Sequence, residues 1–253
     1  MNLTYLGIEL RRVVRDVTTM FFVALLPAFM YIIFGASQAF GGQMIVGGNV
    51  TMYIMTSMAA YGAVTATTGV GGIAAVERMQ GWGRQLGLTP LPDAGYVAVK
   101  AAVAFFVSII PISLIYLLGT FTGAEGTGRA WLISALVVLI GAVVFSLYGL
   151  MAGLLFPTEA AVGAASGALV ILAFLGNVFF PLSGGMLTFA KFTPLYGYVA
   201  LARYPVTDGY LVSTEGPPIG PEPLWIPILN LVVWAVIFAL AALLLVRRGR
   251  SRQ

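Results

Sequence analysis

Residues 131–180 read WLISALVVLIGAVVFSLYGLMAGLLFPTEAAVGAASGALVILAFLGNVFF, and this stretch decides the fold. Its one charged residue is Glu159, in the short interruption Pro157-Thr158-Glu159. A helix needs about 20 apolar residues to cross a bilayer core that is about 30 Å thick. The apolar runs on both sides of the interruption reach that length, and proline ends or kinks a helix. The stretch therefore predicts two membrane-spanning helices joined as a hairpin.

The composition of the whole chain also indicates a membrane protein. Of the 253 residues, 60% are hydrophobic and 9% are charged, and the mean hydropathy is +0.98. A soluble domain carries about 25% charged residues, which cover its water-facing surface. A soluble protein with a very large core would need helices with polar faces, but most apolar runs here are apolar on all sides. The composition excludes a soluble protein.

Six apolar runs are long enough to span a bilayer, and none has a charged residue near its centre, where a charge costs about 2.5–3.5 kcal/mol. We therefore predict an all-α integral membrane protein, with residues 1–253 forming a single transmembrane domain. The predicted spans are Val17–Phe34, Val50–Val76, Val97–Thr120, Trp131–Phe156, Ala160–Phe180 and Trp225–Val246.

The distribution of Lys and Arg predicts the orientation. With the N-terminus inside, the cytoplasmic segments contain Arg11, Arg12, Arg15, Arg78, Arg84, Lys100, Arg247, Arg248, Arg250 and Arg252, while the outer segments contain only Arg129, Lys191 and Arg203. This asymmetry follows the positive-inside rule, and an even number of spans returns the C-terminus to the cytoplasm. We expect a multi-pass protein of a bacterial-type plasma membrane with both termini cytoplasmic.

Two residue types that carry much enzyme chemistry are absent. The chain has no Cys and no His, so thiol catalysis, the usual general base and the commonest metal ligand are missing. Neither of its two lysines, Lys100 and Lys191, follows a G-x-x-x-x-G pattern, so the chain has no P-loop. We expect no catalytic residue and no bound metal or cofactor. The net charge of +4 suits anionic lipid headgroups better than nucleic acid.

Two non-spanning segments are predicted to lie against the membrane. Residues 1–16 have Leu and Val at helical spacing, and Glu9, Arg12 and Asp16 stand three and four residues apart, so they can pair on the opposite face. This pattern predicts an amphipathic interfacial helix, the alternative being a frayed solvated tail. Residues 182–223 are apolar and aromatic at first, but interrupted by Gly and Pro. They predict short helices in the outer leaflet, followed by an exposed loop.

A polar stripe on the second span is a candidate substrate path. Its hydroxyl groups recur at spacings of four, four and three, which places them on one helical face. Such a stripe also forms when a helix bonds to a neighbouring helix, and this alternative stays open. The candidate path consists of Ser57, Met58, Tyr61, Thr65 and Thr68, together with Asn177.

Two G-x-x-x-G patterns predict close helix packing. They are Gly149 with Gly153 in the fourth span and Gly163 with Gly167 in the fifth. Small residues at this spacing let helix backbones approach each other. Packing within one bundle and contact between two copies both fit.

Residues 77–95, ERMQGWGRQLGLTPLPDAG, form a polar insert between the second and third spans. Together with six spans, an amphipathic N-terminal helix and FFPLSGG at 179–185, this insert resembles the permeases of type 2 ABC exporters. The resemblance implies a dimer of permeases, each docking a separate ABC ATPase subunit that binds ATP and Mg. It implies a coupling segment at 77–95 with matching residues Glu77, Arg78, Gly81, Arg84, Leu86, Thr89 and Pro90. It also implies an outer gate at Phe179, Phe180, Pro181, Ser183 and Gly184.

The function implied by the resemblance is export of an apolar or amphipathic substrate, such as a drug, a lipid or a lipid-linked glycan. Because the candidate path has no ionisable residue, an ion is a poorer cargo. Two other functions stay open: a regulatory or structural membrane subunit, and a membrane-embedded lipid-modifying enzyme. Without the resemblance, the insert reads as a solvated loop.

Overall fold

A computed structural model of the chain describes residues 3–77, 93–155, 158–212 and 220–250. Within these ranges the chain is helical, and its only β-type pairings are the isolated bridges Met44–Asn49 and Gly48–Gly126. The helices are α1 (Leu3–Arg15), α2 (Val17–Ala36), α3 (Val50–Glu77), α4 (Asp93–Phe121), α5 (Gly128–Leu155), α6 (Glu159–Leu175), α7 (Gly184–Ala190), α8 (Pro194–Thr207) and α9 (Trp225–Arg250).

Five of these helices are long and apolar enough to cross a membrane. They are α2, α3, α5, the part Ala98–Phe121 of α4 and the part Trp225–Leu245 of α9. Large apolar side chains on α9, such as Leu240 and Leu244, are more than half exposed, as expected for a surface that faces lipid rather than water. The predicted all-α membrane class is confirmed.

The predicted fifth span is shorter than expected. Helix α6 ends at Leu175 rather than at Phe180, and its described apolar part, Val162–Leu175, is below the length of the five candidate spans. The helix cannot extend further, because Asn177 has a φ of 62°, in the left-handed region that a right-handed helix cannot continue through. The structure therefore gives five candidate spans, and the sixth stays a prediction.

Helix α3 is the central helix of the bundle. In the most apolar window of α3, 89% of the residues are buried, against 11% in that of α9. Glycines bring α3 and α5 into backbone contact, since a Cβ on Gly71 would overlap the carbonyl oxygen of Ser146. A residue on α3 therefore has neighbours on almost every side.

The two ends of the bundle are built differently. At the α1 end, Leu6 packs against Val99 and Val103 of α4. At the α8 end, the loops that precede α3 and α5 are hydrogen-bonded to each other and to α8. Asn49 Nδ2 donates to the carbonyl of Gly123 at 2.7 Å, and the N–H of Gly47 donates to the carbonyl of Val206 at 2.8 Å. In the predicted orientation the α1 end is cytoplasmic and the α8 end is outside.

Candidate functional site

Four charged side chains, three of them buried, form a cluster at the α1 end, which we call the charge cluster: Glu9, Arg12, Glu77 and Lys100. The fourth, Arg12, has a side chain that is 59% exposed. Lys100 Nζ lies 2.7 Å from Glu9 Oε2 and 2.7 Å from Glu77 Oε2. Arg12 donates to Glu77 Oε1 at 2.6 Å. Glu9, Glu77 and Lys100 are each less than a tenth exposed. A buried charge costs free energy unless it is paired, and here two carboxylates face two cations.

The charge cluster differs from the expected pairing along α1. Glu9, Arg12 and Asp16 were predicted to pair with one another on an exposed face. In the structure Glu9 reaches Lys100, Arg12 reaches Glu77, and Asp16 accepts from the Thr19 N–H at 3.1 Å as the N-cap of α2. The physical reason is that α1 lies on α4, which offers Glu9 a buried cation that no residue along α1 can match.

Tyr5 on α1 lies beside the same carboxylates. Burial raises the pKa of its hydroxyl, and the negative charges of Glu9 and Glu77 raise it further. Tyr5 therefore stays neutral at physiological pH and adds no third negative charge to the cluster.

The charge cluster joins the two ends of segment 77–95. Glu77 is the last residue of α3, and Lys100 lies in the first part of α4, so their 2.7 Å ion pair connects the helices on either side of the segment. Of the predicted coupling residues, only Glu77 is within the described ranges. The others, Arg78, Gly81, Arg84, Leu86, Thr89 and Pro90, lie outside the described residues.

A second buried cluster surrounds Arg203 of α8, and we call it the arginine cluster: Arg203, Ser57, Tyr53, Asn177 and Val178. The guanidinium donates from Nε to Ser57 Oγ at 2.7 Å. It also donates at 2.6 Å to each of the carbonyls of Asn177 and Val178. Its Cζ lies 4.1 Å from the centre of the Tyr53 ring, a cation–π contact. Arg203 is 5% exposed.

The structure places the candidate path residues inside the bundle. The Ser57 hydroxyl contacts Arg203, that of Thr65 donates to the Tyr61 carbonyl of its own helix at 2.9 Å, and that of Thr68 donates to the Phe145 carbonyl of α5 at 3.3 Å. Met58 is fully buried, and Asn177 belongs to the arginine cluster. Such contacts are expected if the stripe only bonds α3 to its neighbours within the bundle. A substrate path along this stripe therefore stays a prediction.

The expectation that no ionisable group lies on the path is wrong at Ser57. The sequence places Arg203 almost 150 positions away, in an amphipathic segment, so its approach to Ser57 follows only from the packing of α8 against α3.

One of the predicted gate residues, Phe179, contacts the predicted path. The rings of Phe179 and Tyr61 meet edge to face with centroids 5.0 Å apart, and Phe179 also meets Phe174 of α6 at 4.9 Å. Phe180 lies beside Phe34 of α2 at 5.7 Å.

The remaining gate residues follow in the chain and lead into α7. Pro181 follows the turn and bend at 176–180, Ser183 is the N-cap residue of α7, and Gly184 has a φ of 54°, which favours glycine. Of the two gate phenylalanines, the structure places Phe179 against a path residue and Phe180 against α2 and α6.

The two glycine pairs have different surroundings. A Cβ on Gly149 would overlap the Thr68 carbonyl oxygen, and one on Gly153 would come within 2.7 Å of the Gly72 carbonyl oxygen. Gly163 and Gly167 of α6 have no other atom within 4 Å of such a Cβ among the described residues. The first pair therefore lies in a seam between α5 and α3, and the second is on an open helix face.

Sequence reasoning gave Arg203, Lys100 and Glu9 no place in a site. Arg203 and Lys100 were counted only for orientation, and Glu9 was assigned to a solvated face. A signal for Arg203 was present, because a lone arginine within an apolar segment of a membrane protein marks a functional residue by default. Its partners were not predictable, because two of them are backbone carbonyls.

No family model matches this chain. It is similar to the protein named "Putative transport permease YvfS" of Bacillus subtilis (strain 168), with 27% identity over 168 residues. The similar region covers 65% of this chain and 64% of that relative, so the match spans just under two thirds of the relative's length.

Proposed function

We propose that the chain is the membrane-spanning permease half of an ATP-driven ABC exporter. Three observations support a transport role: the five candidate spans, the similarity to a relative named as a transport permease, and the lack of His and Cys for catalysis. Because the sequence has no P-loop, ATP and Mg would be bound by a separate ATPase subunit.

The observation that carries the proposal is the charge cluster at the ends of segment 77–95. A segment that transmits force from a soluble partner must be fixed to the helices that it moves. Here the 2.7 Å ion pair of Glu77 with Lys100 joins α3 to α4. Arg12 of α1 is ion-paired with the same Glu77 carboxylate. A push on the segment would therefore reach α1, α3 and α4 together.

This arrangement changes the role that we assign to Glu77. The sequence suggested a direct anchor on the partner, but the carboxylate is buried and already bonded within its own chain. We therefore assign Glu77 to holding the segment in place. Contact with the ATPase would fall to Arg78, Gly81, Arg84, Leu86, Thr89 and Pro90.

The proposed cargo is an apolar or amphipathic molecule, such as a drug, a lipid or a lipid-linked glycan. The buried stripe on α3 would open toward a second permease copy, and Phe179 and Phe180 would close it on the outer side. The cargo would enter from the membrane in which the permease dimer is embedded, so lipids are its natural surroundings. We propose no role for nucleic acid, and we place the complex in the plasma membrane.

The proposal is tested by purification and reconstitution. A tagged chain is purified from membranes of its own host, co-purified proteins are identified by mass spectrometry, and the complex is reconstituted into proteoliposomes. We expect an ABC ATPase subunit to co-purify and ATP to drive movement of a fluorescent lipophilic dye or a fluorescent phospholipid. An ATPase whose P-loop lysine is replaced is the matched control and should move neither.

A chain that purifies without an ATPase, in vesicles where ATP moves neither probe, would contradict the proposal. An ATPase that co-purifies and hydrolyses ATP without moving either probe would favour a regulatory subunit. Conversion of the phospholipid to another species by the chain alone would favour a lipid-modifying enzyme.

A further inference from the structure

The loop that follows α6 is held through two of its backbone carbonyls, in addition to the burial of Val178 and Phe179 in the core. Asn177 and Val178 present their carbonyl oxygens to one guanidinium, each at 2.6 Å. Asn177 adopts a φ of 62°, and its Oδ1 accepts from the Leu182 N–H at 2.8 Å, which closes the loop on itself. A non-glycine residue keeps such a conformation only where its surroundings determine it. The bonds to Arg203 are part of those surroundings.

Arg203 connects this loop to two helices at once. The side chain starts on α8, its Nε bonds to Ser57 Oγ on α3, and its guanidinium stacks on Tyr53 of α3. A planar guanidinium can make these three hydrogen bonds and the ring contact together, because its donors form a rigid fork. One side chain therefore fixes the loop against the central helix.

The charge of Arg203 is held by neutral groups. In the part of the chain that the structure describes, no carboxylate lies within ion-pair distance of it. Glu222, which lines the same pocket as Arg203, is paired instead with Lys191 at 2.7 Å and accepts from the Tyr196 hydroxyl at 2.8 Å. A hydrogen bond to a charged group contributes less free energy than is lost when a buried ion pair is broken from one side. Such a contact suits a part that must open.

The position of Phe179 depends on how the preceding residue is held. Phe179 follows Val178 directly, and its ring covers Tyr61 of α3 with centroids 5.0 Å apart. When the Val178 carbonyl is fixed, the Phe179 ring is fixed on α3 as well. Release of the carbonyls would let the ring leave Tyr61.

We propose that Arg203 is the positioning residue that pins the loop 177–184 onto α3 and so holds the outer barrier closed. The role of this loop as a barrier rests on the proposed export function, whereas its attachment to α3 by Arg203 does not. A lysine at this position would keep the charge but lose the fork, because an ammonium group cannot reach Ser57 and both carbonyls in the same plane.

The test measures how accessible the loop is, in purified protein without ATP or a partner. The chain has no Cys, so single cysteines report without background. Val178→Cys is a reporter on the loop, since Val178 is 1% exposed and cysteine is a small hydrophobic residue. Ala142→Cys, at a fully buried position on α5, reports on the bundle core. Phe180→Cys, at a position that is 47% exposed, gives the labelling rate of an open thiol.

In the otherwise unchanged protein, we expect Val178→Cys and Ala142→Cys to be protected from maleimide and Phe180→Cys to react. Adding Arg203→Lys should speed labelling of Val178→Cys about tenfold or more, because a hydrogen bond to a charged group contributes at least that factor. Ala142→Cys should stay protected. Arg129→Gln is the matched control, since it removes an exposed cation from the predicted outer side, at the start of α5, and it should leave all three rates unchanged.

Protection of Val178→Cys in both the Arg203→Lys and the Arg203→Gln backgrounds would overturn the proposal. Equal exposure of Val178→Cys and Ala142→Cys would overturn it too, because Arg203 would then stabilise the whole bundle rather than one loop. The assay needs no transport. A chain that fails to export but shows selective exposure of the loop would therefore contradict the proposed export function and support the positioning role of Arg203.

Discussion

The charge cluster and the arginine cluster both bury cations, but they neutralise them in opposite ways. At the α1 end, Lys100 lies 2.7 Å from each of two carboxylates. At the α8 end, Arg203 is held by two carbonyls, a hydroxyl and an aromatic ring. Breaking a buried ion pair from one side costs about 3–5 kcal/mol, whereas a hydrogen bond to a charged group contributes about 1.5–3 kcal/mol. On the proposed function, the α1 end would transmit motion as a unit and the α8 end would be the part that opens.

The largest effect is expected from removing the shared cation of the charge cluster. Lys100→Met leaves the buried Glu9 without its cation and removes one of the cations bound to Glu77, and breaking a buried pair from one side costs about 3–5 kcal/mol. Arg203→Met removes a buried charge together with its burial cost and leaves only neutral acceptors unbonded. Lys100→Met should therefore lower the apparent melting temperature in detergent more than Arg203→Met does.

The double variant Lys100→Met with Glu9→Gln is the control for this comparison, because it also neutralises the carboxylate that Lys100→Met leaves without a cation. It should recover part of the lost stability. A larger loss for Arg203→Met than for Lys100→Met would show that the arginine cluster, not the charge cluster, costs more to break.

The next effect concerns the seam that links the two ends along α3. Gly149→Ala places a methyl group on the Thr68 carbonyl oxygen, where the backbone of both helices must shift. Overpacking of this kind costs about 1–3 kcal/mol. Gly163→Ala is the matched control on α6, where the methyl group meets open space. Thermal unfolding should separate the two variants, and equal stability would place the α3–α5 seam elsewhere.

The smallest effect is expected at Asp16, which adjoins the charge cluster but belongs to the start of α2. Loss of an N-cap side chain costs about 1 kcal/mol, so Asp16→Ala should lower the melting temperature slightly and Asp16→Asn should not. Hydrogen bonds from Thr19 hold the pKa of the Asp16 carboxyl below its usual value. A depressed folded-state pKa gives stability that is present above the unfolded pKa of about 3.9 and is lost as the pH falls through the folded-state value. Melting curves between neutral and acidic pH should therefore converge for native protein and Asp16→Ala at the acid end.

The sequence was sufficient to predict which segments are helical and apolar. Length and hydropathy located the five candidate spans, since those properties are local to each helix. The early end of α6 was missed, because the left-handed φ of Asn177 is set by contacts from Arg203 and Leu182 rather than by local hydropathy.

The sites were less predictable than the helices. Glu9 was assigned to a solvated face because its own helix offered Arg12 at helical spacing. Its true partner, Lys100, is more than ninety residues away in the chain. The arginine cluster was missed for the same reason, with the addition that backbone carbonyls leave no mark in a sequence. The outer gate came from resemblance alone and stays a prediction, although the ring of Phe179 meets that of Tyr61 on the polar stripe.

The proposed coupling through segment 77–95 and the proposed barrier held by Arg203 are tested most directly by one measurement. The amount of ABC ATPase that co-purifies with the chain, and its hydrolysis rate, are compared for Glu77→Gln, Arg84→Ala and Arg203→Lys, with gel filtration confirming that each variant is folded. We predict that Glu77→Gln and Arg84→Ala lose most of the bound ATPase or its stimulation by lipophilic compounds, while Arg203→Lys binds as much ATPase as the native chain. Undiminished ATPase binding and stimulation in both Glu77→Gln and Arg84→Ala, or a loss confined to Arg203→Lys, would contradict this division of roles.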